Sequence, residues 1–155
     1  MEAAQQVNEN IRTLPRIAEV IEDLGYEVGL QPECVVVKIS VADGESYTAL
    51  VTIDEERQKA VITCEIARYG DVPEDRLPDV LVAQSDANTR IDPFAFATIT
   101  NLDDPERADA SDWLFVLIDS MPLGDLCTAE LEAAMFDLQR AVREVGTVMV
   151  LAKKS

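Results

Sequence analysis

Closely spaced carboxylates are the side chains whose types come nearest to a chemical site. Asp103, Asp104, Glu106, Asp109 and Asp112 crowd one stretch, and a calcium ion takes roughly six to eight oxygen ligands from such groups. The spacing does not suit an EF-hand, which needs acids at alternating positions, a central glycine and a closing glutamate, whereas Pro105 and Arg107 interrupt this run. A solvated loop with no metal is the expectation. Two carboxylates about 5–10 Å apart across a cleft are enough for glycoside hydrolysis. Among thirty acidic residues, however, some pair meets that distance by chance. A carboxylate-based, cation-dependent enzyme is therefore the rival reading, and the leading one is non-enzymatic.

Other chemistries lack their residues. With no histidine there is no Ser-His-Asp or Cys-His pair and no mixed Cys/His zinc site. No glycine-rich phosphate loop of the GxGxxG or GxxxxGK type occurs. Cys34, Cys64 and Cys127 are odd in number and far apart, which excludes a CxxC motif. Cys34 and Cys64 lie in apolar strand patterns, where cysteine acts as a small hydrophobe. No catalytic residue, metal or cofactor is expected.

Charge narrows the partners. Thirteen basic residues against thirty acidic ones give a formal charge of −17, and without histidine that charge holds across neutral pH. Phosphate backbones and anionic lipid are bound by clustered Lys and Arg, so nucleic acid and membrane are not expected as partners. Two readings of the acidity stay open: solubility or a salty cytoplasm, which four Lys against fifteen Asp would suit, and a basic protein partner. No run approaches the ~20 apolar residues that cross a bilayer. The start, MEAAQQVNEN, has neither the basic nor the apolar part of a secretory signal, and the expectation is a soluble, cytoplasmic protein.

The elements that must position any site follow from periodicity. At 155 residues one domain, 1–155, accommodates the chain. Val7, Ile11, Leu14, Ala18, Ile21 and Leu24 keep helical spacing. Pro15 forces the regular part to begin near residue 14, with Thr13 as a cap and Gly25 as the stop. Three strands come next, in CVVVKISV, SYTALVTI and KAVITCEIA. Tyr47, Ala49, Val51 and Ile53 share one face of the second, and Ala60, Ile62, Cys64 and Ile66 one face of the third. RLPDVLVAQSDANTRI reads as a second helix with Pro78 in its first turn. PFAFATIT and DWLFVLI are two more strands. Thr128 opens a last helix with the stripe Leu131, Met135, Leu138, Val142 and Val145; residues 147–152 suit helix or strand. The fold class is α+β, a mainly antiparallel five-stranded sheet packed by helices in the order α-β-β-β-α-β-β-α.

The aromatic residues of the late strands are the candidate recognition surface. Phe94 and Phe96 share a face, and antiparallel pairing brings them beside Trp113 and Phe115. In DWLFVLI both faces are apolar. That suits a central strand buried on both sides, or an exposed patch for a partner or a second subunit. Excess apolar surface there and on the second helix makes a homodimer the expectation.

This order of elements, over about Leu14 to Val145, resembles the type III secretion chaperone fold and the YbjN-type family of bacterial regulators. A local echo lies in SDANTRIDPFAFATI, where Asn88 ends a helix just before a strand. The resemblance implies a non-enzymatic protein that dimerises and binds or regulates other proteins.

Overall fold

The computed structural model describes residues 11–41, 44–100 and 109–153. Its elements are α1 (Leu14–Asp23), β1 (Glu27–Leu30), β2 (Val35–Ser40), β3 (Ser46–Asp54), β4 (Lys59–Arg68), α2 (Leu77–Ala87), β5 (Ala95–Ile99), β6 (Leu114–Pro122) and α3 (Thr128–Lys153). The strands form one six-stranded sheet in the order β1-β2-β3-β4-β6-β5. The class is α+β with an antiparallel sheet, as the periodicity predicts, and it has one strand more than the five expected.

The chain is organised as two compact units. One takes residues up to Thr63 together with Asp119–Phe136, and the other takes Cys64–Ile118 together with residues from Asp137 on. The divisions fall inside β4, β6 and α3, so each of these elements contributes to both units.

In the first unit α1 begins where its capping chemistry places it. Thr13 is extended, its Oγ1 accepts a hydrogen bond from the Arg16 backbone N–H at 3.4 Å, and Pro15 occupies the first turn, where no helical donor is lost. Gly25 ends the helix at φ +103, a left-handed conformation that glycine adopts without a Cβ penalty. The helix buries Ile17, Ala18, Val20 and Ile21 and lies against β1, β2 and β3. The strands supply the facing layer: Val35, Val37, Ile39, Ala49, Val51, Ala60 and Ile62 are buried, in strict alternation along β2. Each of the larger aliphatic side chains among them contributes about 1.5–3 kcal/mol of burial.

The additional strand is β1. It pairs antiparallel with β2 in the register Glu27↔Lys38, Val28↔Val37, Gly29↔Val36 and Leu30↔Val35. A cross-strand ion pair joins Lys38 and Glu27 at 3.6 Å. Three of its four residues, Glu27, Gly29 and Leu30, are exposed, so an edge strand this short carries no two-residue period to recognise.

In the second unit β5 and β6 pair antiparallel, with Phe96 opposite Leu117 and Thr98 opposite Phe115. Helix α2 holds Pro78 in its first turn and buries Val80 and Ala87, but leaves Leu81 and Val82 exposed. The second half of α3 buries Leu138, Ala141, Val142, Val145 and Met149. The helix runs on through Gly146 to Lys153, which decides residues 147–152 in favour of helix. Arg90, just after α2, donates to Glu144 at 2.7 Å and to Asp86 at 2.8 Å.

Candidate functional site

The four aromatic residues singled out from the sequence lie in the second unit, and Phe96, Phe115 and Trp113 belong to one aromatic group. The Phe96 and Phe115 rings meet at 5.9 Å, and Tyr69 joins them, stacked on Phe115 at 5.2 Å and edge-on to Trp113 at 5.4 Å. Tyr69 carries no periodic signal, since it lies in the connector RYGDVP. Its backbone N–H donates to the Trp113 carbonyl at 2.7 Å, which fixes the ring beside its neighbours. Phe94, Phe96 and Phe115 are buried, and Trp113 is half-buried. As a free recognition surface, the three phenylalanines are thereby corrected. β6 lies between β4 and β5 rather than at an edge. Phe115, Val116 and Leu117, which alternate between its two faces, are all buried, so the middle of the strand is core on both sides while Leu114 and Ile118 stay half-buried.

Apolar side chains that do reach the surface lie elsewhere. In the first unit, the start of α1, the end of β1 with its following turn, and the end of β3 enclose an open cleft of about 750 Å³. Leu14, Pro15, Leu30, Pro32 and Ile53 give it apolar walls, and Arg12, Glu33 and Glu55 line it with charge. Leu30 is 53% exposed although it stands on a strand. Its position follows from the turn: the Gln31 N–H donates to the Cys34 carbonyl at 2.9 Å, closing β1 onto β2 and turning Leu30 to the cleft. Periodicity does not mark Leu30, because β1 is too short and too exposed to show any. In the second unit Leu81 and Val82 are exposed on α2, Val82 at 72%.

Among the described residues no three Cys, Asp or Glu side chains converge as a metal site. Asp103, Asp104 and Glu106 of the acidic run lie outside the described residues. Asp109 has a structural task. Its Oδ1 accepts from the Ser111 N–H at 3.0 Å and from the Ser111 hydroxyl at 2.9 Å, and these bonds hold its carboxyl below the usual carboxylate range. Cys64 is buried, and burial, with Glu65 nearby, pushes its thiol up to about 12, the opposite of what a nucleophile needs. No described helix is long and apolar enough to cross a membrane.

Comparison with known proteins places the fold. No family model and no curated protein matches the chain. Among solved structures, it is similar to a chain of the crystal structure of the ExsC-ExsE complex, with TM-score 0.53 and 13% identity over 84% of this chain and 88% of that one. It is also similar to a chain of the HopA1-SchA chaperone-effector complex, with TM-score 0.53 and 11% identity over 84% of this chain and 90% of that one. At these identities the likeness establishes the fold alone, which this chain shares with both structures.

Proposed function

We propose that this protein is a non-enzymatic, chaperone-like or regulatory binding module that holds an apolar segment of another protein in the cleft beside β1. The observation that carries this reading is Leu30. A leucine left half in water on a strand, facing Leu14, Pro15, Pro32 and Ile53, is apolar surface that a partner would cover. β1 also ends the sheet order, so its outer backbone groups are available to an extended segment. The fold shared with a chaperone-effector complex supports the same reading.

The charge supports a basic partner. A surface with formal charge −17 attracts cationic chains and speeds their encounter, while the apolar walls of the cleft supply the contact that persists after encounter. In this reading the protein works in a bacterial cytoplasm as a homodimer, and Leu81 and Val82 of α2 are the face through which two copies meet. The YbjN-like, regulatory variant differs only in what the captured partner does. A photo-crosslinker placed at Leu30, with a second at exposed Val82 as the control, tests the site. Crosslinks to a foreign protein from Leu30 and to a second copy from Val82 support the assignment; foreign crosslinks confined to Val82 move the binding surface to α2.

A further inference from the structure

The outer edge of β5 is occupied by side chains of this same chain. β5 ends the sheet order opposite to β1, and an edge strand normally offers unpaired N–H and C=O groups to any passing strand. At Phe96 those groups are taken. The Phe96 N–H donates to Asn88 Oδ1 at 2.6 Å, and the Phe96 carbonyl accepts from Asn88 Nδ2 at 3.1 Å and from Gln84 Nε2 at 2.8 Å. One primary amide therefore meets a residue's donor and acceptor together, the same two contacts a neighbouring strand would make. Gln84 extends the cover through its Oε1, which accepts from the Thr98 hydroxyl at 3.3 Å.

Register explains why Phe96 is the residue held. Because its backbone groups turn outward, the pair Phe96↔Leu117 is a non-hydrogen-bonded one, and Ala95 and Ala97 on either side turn inward to Ile118 and Val116. The clamp is itself anchored. Asn88 is the C-cap of α2, its N–H donating to the Gln84 carbonyl at 3.2 Å, and Arg90 ties the same end of the helix to Glu144.

We infer that Asn88 and Gln84 form an edge lock, standing in for a seventh strand and closing β5 against main-chain pairing with a second copy of this chain. The sequence AFATI behind the lock is apolar and rich in β-formers. Without the lock it would be a pairing template. The inference is independent of the proposed cleft, which lies in the other unit. It also separates two kinds of self-association: contact through Leu81 and Val82 leaves the lock intact, whereas strand pairing requires it to open.

Amide hydrogen exchange and light scattering test the lock together. In the unaltered protein the Phe96 amide should exchange as slowly as that of Ala97, although it faces away from β6; exchange at the rate of an open amide would overturn the inference outright. In Asn88→Ala, Phe96 exchange should accelerate at least tenfold, and the mass should rise above that of the unaltered protein as concentration increases. In Asn88→Asp, which retains the acceptor, the Phe96 amide should stay protected. A cooperatively melting Asn88→Ala with unchanged Phe96 exchange or unchanged mass contradicts the lock. Should that variant not fold, Gln84→Ala with Asn88→Asp removes both donors to the Phe96 carbonyl and is read by the same rise in mass, with no rise counting against the inference.

Discussion

The ring of Tyr69 stacks on the ring of Phe115 with centroids 5.2 Å apart and planes inclined by 23°. The pair joins the residue that follows β4 to an early position of β6, and the burial of Phe115 makes the aromatic group a structural core. Truncating a buried phenylalanine costs about 3–5 kcal/mol. Phe115→Ala should therefore lower the thermal midpoint by many degrees while leaving self-association unchanged in the folded fraction. Unchanged stability with weakened association would return Phe115 to the surface role suggested by the sequence.

Gly70 is held by space. A Cβ there would come within 2.9 Å of both the Ser111 Cβ and the Ser111 carbonyl oxygen. Backbone cannot move aside as a long side chain can, so Gly70→Ala should destabilise by about 1–3 kcal/mol, the range for overpacking. Chemical denaturation measures it, and a variant as stable as the parent would mean that the turn at Ser111 yields freely.

Cys64 gives the fold an alkaline limit. Its thiol is raised from 9.0 to about 12 in the folded state by burial and then by Glu65, so folding favours the neutral form. The associated stability is complete below pH 9, where the thiol is neutral whether folded or unfolded. It falls as pH rises through the window from 9 to about 12, where only the unfolded chain ionises. Denaturant midpoints across that window should decline less in Cys64→Ala than in the parent. A thiol reagent at pH 8 should label Cys64 only after unfolding; rapid labelling of the native protein would contradict its burial.

Salt should strengthen both the fold and the proposed dimer. Ion pairs such as Arg16 with Glu19 at 3.0 Å and Arg90 with Glu144 at 2.7 Å join side chains that remain a third or more in solvent, and they contribute little. Screening therefore acts mainly on the repulsion among an excess of acids. Light scattering is expected to give twice the single-chain mass of 17.1 kDa, with dissociation at low salt and in Val82→Glu. A mass of one chain at every concentration and salt would reject the dimer. A thermal midpoint that falls with added salt would show that attraction between charges outweighs their repulsion.

Much of the fold was legible because its strands are buried on one face. Tyr47, Ala49, Val51 and Ile53 keep their common face, as do Ala60, Ile62, Cys64 and Ile66, and Thr13, Pro15 and Gly25 set the limits of α1 where capping rules place them. Pairing of β5 with β6 was legible too. The placement of the aromatics relative to solvent was not, because a strand apolar on both faces reads alike whether it is central or exposed at an interface. β1 escaped notice because a short edge strand has little to bury. With it went Leu30, and hence the cleft. The edge lock was visible only as an asparagine at a helix end; its partner eight residues later becomes apparent once β5 turns the Phe96 backbone outward.

Parallel co-purification with the unaltered protein and Leu30→Asp, from native lysate at low and at high salt, reads binding in the cleft without any assumption about the partner. Leu30 is exposed, so the substitution should leave stability within about 0.5 kcal/mol of the parent's, as surface changes usually do. One or a few proteins with a basic, apolar segment should be retained by the unaltered protein, recovered at least tenfold less with Leu30→Asp, and captured more slowly at high salt. Equal recovery of the same partners by a folded Leu30→Asp would contradict binding in the cleft, and recovery of none from either would contradict a protein-binding role.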